Sequence, residues 1–201
     1  MLFRSLFFVV CCAQAQDFEP AILEKKLSAL DDAEKVHFIN KNYYAIYSAS
    51  LPNSEKLLQW AVETAQRNNW KSEEAYARLY LGVVKYLSGK YPHAHRNYLE
   101  ALDLFQHLNE KAGIAATHNE LAVFYHKQKD YKNCYRSLDI SEKISREIND
   151  LEKLGTSLGN RGAILSVQGR LNDAKPYFLE VYKIRVSQKD SIGLEIGRAH
   201  V

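Results

Sequence analysis

The stretch YLGVVKYLSGKYPHAHRNYLEALDLF, residues 80–105, decides the fold. A first helix runs from about Ser72 to Leu87, and Gly89 supplies the permissive backbone that ends it. Pro92 then stands at the start of a second helix, where a missing N–H costs nothing. Ala94, Tyr98, Ala101 and Leu104 follow at i, i+4, i+7 and i+10, one stripe of a 3.6-residue period. Gly82 and Ala94 are small because two helices approach closely only where no side chain holds them apart. Tyr98 and Leu104 fill the space between neighbouring hairpins. A single hairpin cannot bury such stripes, so hairpins must stack.

The pattern returns at an offset of 40 residues. Leu81 meets Leu121, Gly82 meets Ala122 and Gly162, and Gly89 meets Lys129 and Gly169. Ala94 meets Cys134 and Ala174, Tyr98 meets Leu138 and Phe178, and Leu104 meets Ile144 and Ile184. Upstream, Ser54, Leu58 and Ala61 fall under Ala94, Tyr98 and Ala101. The chain therefore divides into helix-pair units at 31–71, 72–111, 112–151 and 152–190, with a further unit beginning at 191–195. Within 16–30, PAILEKKLSAL sets Ile22, Leu23, Leu27 and Leu30 on one face of a short leading helix. The expected fold class is all-α, and a last hairpin with no neighbour would expose an apolar face.

Leu81, Gly82, Gly89, Lys90, Tyr91, Ala94, Tyr98, Ala101 and Leu102 together look like the tetratricopeptide (TPR) repeat. The match is strong from Ser72 and good from Ala112, although Lys129 and Cys134 replace the usual Gly and Ala. It is good again from Glu152, where Arg161 replaces the usual Leu, and weak from Asp31, where Lys41 and Asn42 hold the Leu-Gly position. The usual unit has about 34 residues; units of 40 resemble the longer-helix variants in the exported part of bacterial sensor proteins. The resemblance implies a right-handed α-solenoid of stacked antiparallel helix pairs. It also implies that the first helices line a concave groove for a protein or extended peptide partner. Carried onto this register, the groove candidates are Tyr43, Ile46 and Tyr47, then Tyr76, Leu79, Val83 and Tyr86. The third unit adds Asn119, Val123, His126 and Lys127, and the fourth Asn160, Ala163 and Ser166. Leu79, Val83 and Val123 suit packing against the next hairpin equally well.

Composition narrows the function classes. A chain of 201 residues with 46% apolar and 25% charged residues, 9 Gly and 4 Pro is not collagen-like, low-complexity or wholly disordered. A mean hydropathy of −0.37 excludes a multispanning membrane protein. The opening MLFRS and the closing IGRAHV are both translations of one short-read sequencing adapter, in complementary orientation. Residues 1–5 and 196–201 are therefore expected to be foreign, with a native segment from Leu6 to about Glu195. Setting Arg4 and Arg198 aside lowers the formal charge from +3 to +1, which gives no basic footprint, so no nucleic-acid partner is expected for this segment.

The apolar run Leu6–Cys12 followed by Ala13 and Ala15 reads as a truncated signal peptide over 6–15, cleaved after Ala15. It is too short to span a bilayer. A lipoprotein signal fits poorly, because Cys11 follows Val10 and Cys12 follows Cys11, and an apolar core segment is the remaining alternative. The expected location is exported, periplasmic or membrane-attached facing the periplasm. Loss of the signal leaves Cys134 as the sole cysteine, which makes neither a disulfide nor a zinc cluster.

No catalytic constellation stands out, so an enzyme, a cofactor and a metal site are not expected. His93 and His95 point to different sides of a helix and read as solvent-facing, while His118 and His126 read as surface or groove lining. Cys134 takes the place of a small packing Ala and reads as a buried structural thiol. The leading function is an exported, non-enzymatic scaffold that binds a protein or peptide in its groove. The alternative is the N-terminal sensory region of a larger membrane-bound signalling protein, a histidine kinase or DNA-binding regulator, with a downstream membrane anchor.

Overall fold

A computed structural model describes residues 18–198, with side chains described as far as 188. The MLFRS string, the 6–15 segment and residues 199–201 lie outside the described residues. Among the described residues there are ten helices and no strand. They group into two compact units that divide between Asn109 and Glu110.

The first unit contains α1 (Pro20–Ser28), α2 (Asp32–Lys41), α3 (Tyr43–Ala49), α4 (Leu51–Arg67), α5 (Lys71–Leu87) and α6 (Tyr91–His107). Pro20, Pro52 and Pro92 sit in first turns, where their rings fit. Asp31 and Glu34 close a reciprocal capping box at the start of α2. The first helix of the 31–71 segment is split. At the register of Leu81-Gly82, Asn42 leaves the helical conformation and donates from Nδ2 to the Phe38 carbonyl at 2.8 Å. An Asn side chain that satisfies a backbone carbonyl in this way competes with continuation of the helix. The core joins Leu23 and Leu27 of α1 to Val36 and Ile39 of α2, Ile46 of α3, Leu58, Ala61 and Val62 of α4, and Leu81 and Val84 of α5. Leu30 packs against it, but Ile22 is 45% exposed, so the leading helix presents a narrower apolar face than its sequence suggests.

The second unit contains α7 (Lys111–Lys127), α8 (Tyr131–Glu147), α9 (Leu151–Val167) and α10 (Leu171–Arg198). In it each helix packs on the next, and the first helices α7 and α9 also touch. In the first unit α2 reaches both α4 and α5 in the same manner.

The hairpins are built on one recurring contact. A Cβ added to Gly82 would lie 2.6 Å from Cε1 of Tyr98, and one added to Gly162 would lie 2.8 Å from Cε1 of Phe178. The equivalent pair in α7 and α8 is Ala122 and Leu138, both buried, where a smaller partner leaves room for the methyl group. The size of the first-helix residue thus tracks inversely with the size of the residue opposite. The stripe itself closes on Phe105, which is fully buried, while Leu104 is only half-buried. Eleven residues from Ala94 to Phe105 make about three full turns, so Phe105 returns closer to the face of Ala94 than Leu104 does.

A second exchange occurs between successive hairpins. Val62 of α4 and Leu81 of α5 belong to one apolar cluster. Eighty residues later the same register positions hold Glu142 of α8 and Arg161 of α9, which form an ion pair at 2.6 Å. Arg161 also reaches Asp139 at 2.6 Å and lies against the rings of Tyr135 and Tyr177. Arg161 in place of the usual Leu is therefore balanced by acids on the facing helix.

Turns between helices place one residue at positive φ: Asn69, Asn109 and Asn149 at one type, and Gly89, Lys129 and Gly169 at the other. Gly and Asn tolerate this region, and Lys129 occupies it at greater steric cost. Where the repeat register would place a turn near Asp190, α10 continues to Arg198. On α10, Phe178 is 43% and Tyr182 64% exposed, whereas Leu138, at the register of Phe178, is enclosed between α7 and α9.

Gly82→Ala is expected to lower the stability of the first unit by about 2 kcal/mol through overpacking against Tyr98. The same change in a Tyr98→Leu background should cost clearly less, because Leu accommodates a methyl group as Leu138 does at Ala122. Urea denaturation of the four proteins of this cycle measures the coupling; equal costs in both backgrounds would show that the contact does not set the residue sizes.

Candidate functional site

The first helices carry two distinct surfaces, one in each unit. In the first unit, Tyr43 and Tyr47 on α3 and Tyr76 on α5 are drawn together by Tyr80. The Tyr80 ring lies 3.7 Å from Tyr43, nearly parallel at 7°, and 6.0 Å from Tyr76. Tyr43 and Tyr47 are 6.1 Å apart, and Tyr44 meets Tyr47 edge-on at 5.0 Å. Tyr76 also turns to the edge of Phe105 at 4.8 Å. These rings make a half-buried aromatic shelf whose most open member is Tyr44. Tyr86 stands apart from it, beside Tyr91 at 5.6 Å. Ile46 and Leu79 are buried in the packing between helices and are removed from the groove candidates.

In the second unit, Asn119 of α7 and Asn160 of α9 meet directly. Asn160 Nδ2 donates to Asn119 Oδ1 at 2.9 Å, and Ser157 Oγ donates to the same oxygen at 3.4 Å. Asn119 Nδ2 in turn donates to Glu120 Oε1 at 3.2 Å. A continuous polar strip thus runs from α9 across the seam to a carboxylate on α7. Ala122 marks the side of α7 that packs on Cys134 and Leu138 of α8. Two residues at about 100° each set Glu120 about 200° from Ala122, on the side of α7 turned away from α8.

Glu120 is half-buried, and among the described residues its sole hydrogen-bond or ion-pair partner is Asn119. Burial pushes its carboxyl up to about 6, against a smaller opposing pull from the Asn119 bond. His126 lies at the end of α7 beside the Tyr131 ring at 6.0 Å, and Lys127 is exposed next to it. Neither joins the Asn119–Asn160 strip. Val123 is half-buried, Ala163 is exposed and Ser166 bonds back to the Gly162 carbonyl.

Other reactive side chains are held in packing roles. Cys134 is fully buried, and burial raises its thiol to about 11, so it is a poor nucleophile. His118 Nδ1 is buried without a partner, and burial together with Arg136 holds the ring below its ordinary value. His93 is exposed and His95 half-buried. Among the described residues no three His, Cys, Asp or Glu side chains converge as a metal site requires, and no helix is long and apolar enough to cross a membrane.

Tyr80 and Glu120 were not among the sequence candidates. Both occupy the register of Asn160 at offsets of 80 and 40 residues, so the choice of Asn160 already contained the signal for them. What sequence alone lacked was the contact that ties each to its neighbours.

No family model and no curated protein matches the chain. Among solved structures, the chain is similar to BtubC (BKLC) from P. vanneervenii, with a TM-score of 0.62 and 18% identity. That likeness covers 77% of this chain and 63% of the other, so the chain spans somewhat under two thirds of that relative. TPR-like repeats of the kinesin-light-chain kind from Podosopora anserina are similar with a TM-score of 0.53 and 14% identity, over 91% of this chain and 85% of that one. At such identities the likeness speaks for the fold.

Because Glu120 is destabilised when ionised, its folded carboxyl titrates above the ordinary value of 4.5. The raised folded value means that its favourable contribution is present below pH 4.5 and lost as pH rises through about 6. Glu120→Gln should therefore match the parent near pH 4 and exceed its stability near pH 8, by at most about 2 kcal/mol. Urea midpoints at the two pH values measure this, and an unchanged difference between them would contradict the assignment. The fold is that of TPR-like helical repeats.

Proposed function

We propose that the protein is a non-enzymatic scaffold that binds an extended protein or peptide segment along the faces of its first helices. The observation that carries this reading is the Asn119–Asn160 bridge, a pair of amides on successive first helices with Glu120 at one end. An Asn side chain offers both a donor and an acceptor, which suits the alternating N–H and C=O groups of an extended backbone. Among the described residues, Asn160 Oδ1 makes no hydrogen bond within the chain and is available as such an acceptor. The tyrosine shelf of the first unit supplies apolar area and hydroxyl groups suited to the same class of partner. The apolar run Leu6–Cys12 with Ala13 and Ala15 supports export as part of this reading.

A random dodecapeptide display library provides the probe. Binders selected on the parent protein should lose at least about tenfold in affinity when bulk is added to the exposed first-helix face by Ala163→Trp. The matched change on the exposed surface of α10, Lys175→Trp, should leave affinity unchanged. Fluorescence anisotropy with labelled peptides reads both. Equal losses from the two variants, or loss from Lys175→Trp alone, would place binding elsewhere, and failure to select any peptide would remove the reading.

A further inference from the structure

The α7–α9 strip ends in a carboxylate that no cation neutralises among the described residues. Other buried or half-buried acids of the same unit are accounted for: Glu142 pairs with Arg161 and Arg146, Asp150 pairs with Lys153, and Asp130 caps the start of α8 through Asn133. In the first unit Glu74 is paired with Arg78 and Lys71, and Glu55 with Lys85 and Lys90. Among the described residues Glu120 neither caps a helix nor meets a cation, and the Asn119 amide is its one hydrogen-bond partner. It stands on the side of α7 turned away from α8, beside the seam where Asn160 presents a carbonyl oxygen. At the same register position the first unit carries Tyr80 stacked on Tyr43, a neutral and self-satisfied arrangement. The repeat architecture therefore has no structural need for a carboxylate here. A half-buried anion without a counter-charge weakens its own fold, and such groups are characteristic of sites completed by a ligand.

We infer that Glu120 is a recognition site for a cationic group, the ammonium of a lysine or the guanidinium of an arginine on the bound peptide. This deepens the peptide-binding reading and rests on it. The cation would approach the free edge of the Glu120 carboxylate while Asn119 holds its other oxygen, and Asn160 Oδ1 would accept a backbone N–H of the same segment. A charge-assisted hydrogen bond formed in a partly desolvated site is stronger than one on an open surface. The polar strip also fixes the carboxylate orientation before binding, so little side-chain freedom remains to be lost.

The random dodecapeptide library separates this inference from the reading beneath it. Peptides selected on the parent protein should be enriched in Lys or Arg at one position of their aligned sequences. Replacing that residue by norleucine should weaken binding about tenfold in the parent and little in Glu120→Gln, since Gln keeps the Asn119 contact and removes only the charge. Circular dichroism of Glu120→Gln should match the parent. Selected peptides without a common cation, or an equal norleucine penalty in both proteins, would overturn the cation site while leaving peptide binding standing. Absence of any selected peptide would overturn both.

Discussion

The contact between a small residue on each first helix and a large one on its partner sets everything else in the repeats. Gly82 against Tyr98 and Gly162 against Phe178 leave no space for a methyl group, whereas Ala122 against Leu138 has room for one. Helices held this close bring their remaining faces into fixed positions. Within each unit, the side of a second helix that does not meet its own partner is then offered to the following first helix, as α4 is to α5 and α8 is to α9. In the second unit the first helices α7 and α9 also touch, which joins Asn119 of α7 to Asn160 of α9.

The repeats tolerate large chemical changes at their interfaces as long as both sides change together. Val62 and Leu81 pack as hydrocarbon, while Glu142 and Arg161 occupy the same register as an ion pair supported by Asp139 and two tyrosine rings. Buried ion pairs contribute little net stability compared with well-packed apolar residues, but removing one partner is costly. Glu120 breaks this rule of paired change. Its hydrogen-bond partner is the amide of Asn119 beside it on the same helix, and its carboxyl is pushed up to about 6 by burial. The departure from local consistency is what singles it out from the acids that hold the fold.

Much of the architecture was legible because a period of 40 residues turns each unit into a control for the others. Gly89, Pro92 and the small residue at Gly82 act through backbone geometry and close approach, which sequence expresses directly. The break at Asn42 was visible only as a poor match, since the competing side-chain bond to Phe38 is a local contest that pattern cannot settle. A stripe counted as i+10 ends on Leu104 and drifts off the face that i+11 regains at the buried Phe105. Among the site residues, Asn119 and Asn160 came together, the tyrosines were joined by the unchosen Tyr80, and Tyr86, His126 and Lys127 fell outside both clusters. Glu120 was missed because a Glu in a helix reads as a solvated face until its neighbours are known.

The central claim is that the faces of the first helices do the binding while the second helices do the packing. Hydrogen–deuterium exchange of the whole protein, with and without a saturating library-selected dodecapeptide, tests it most directly. Added protection should concentrate in Lys111–Lys127 and Leu151–Val167, with little change in Tyr131–Glu147 and Leu171–Arg198. Protection confined to the second helices would contradict the account.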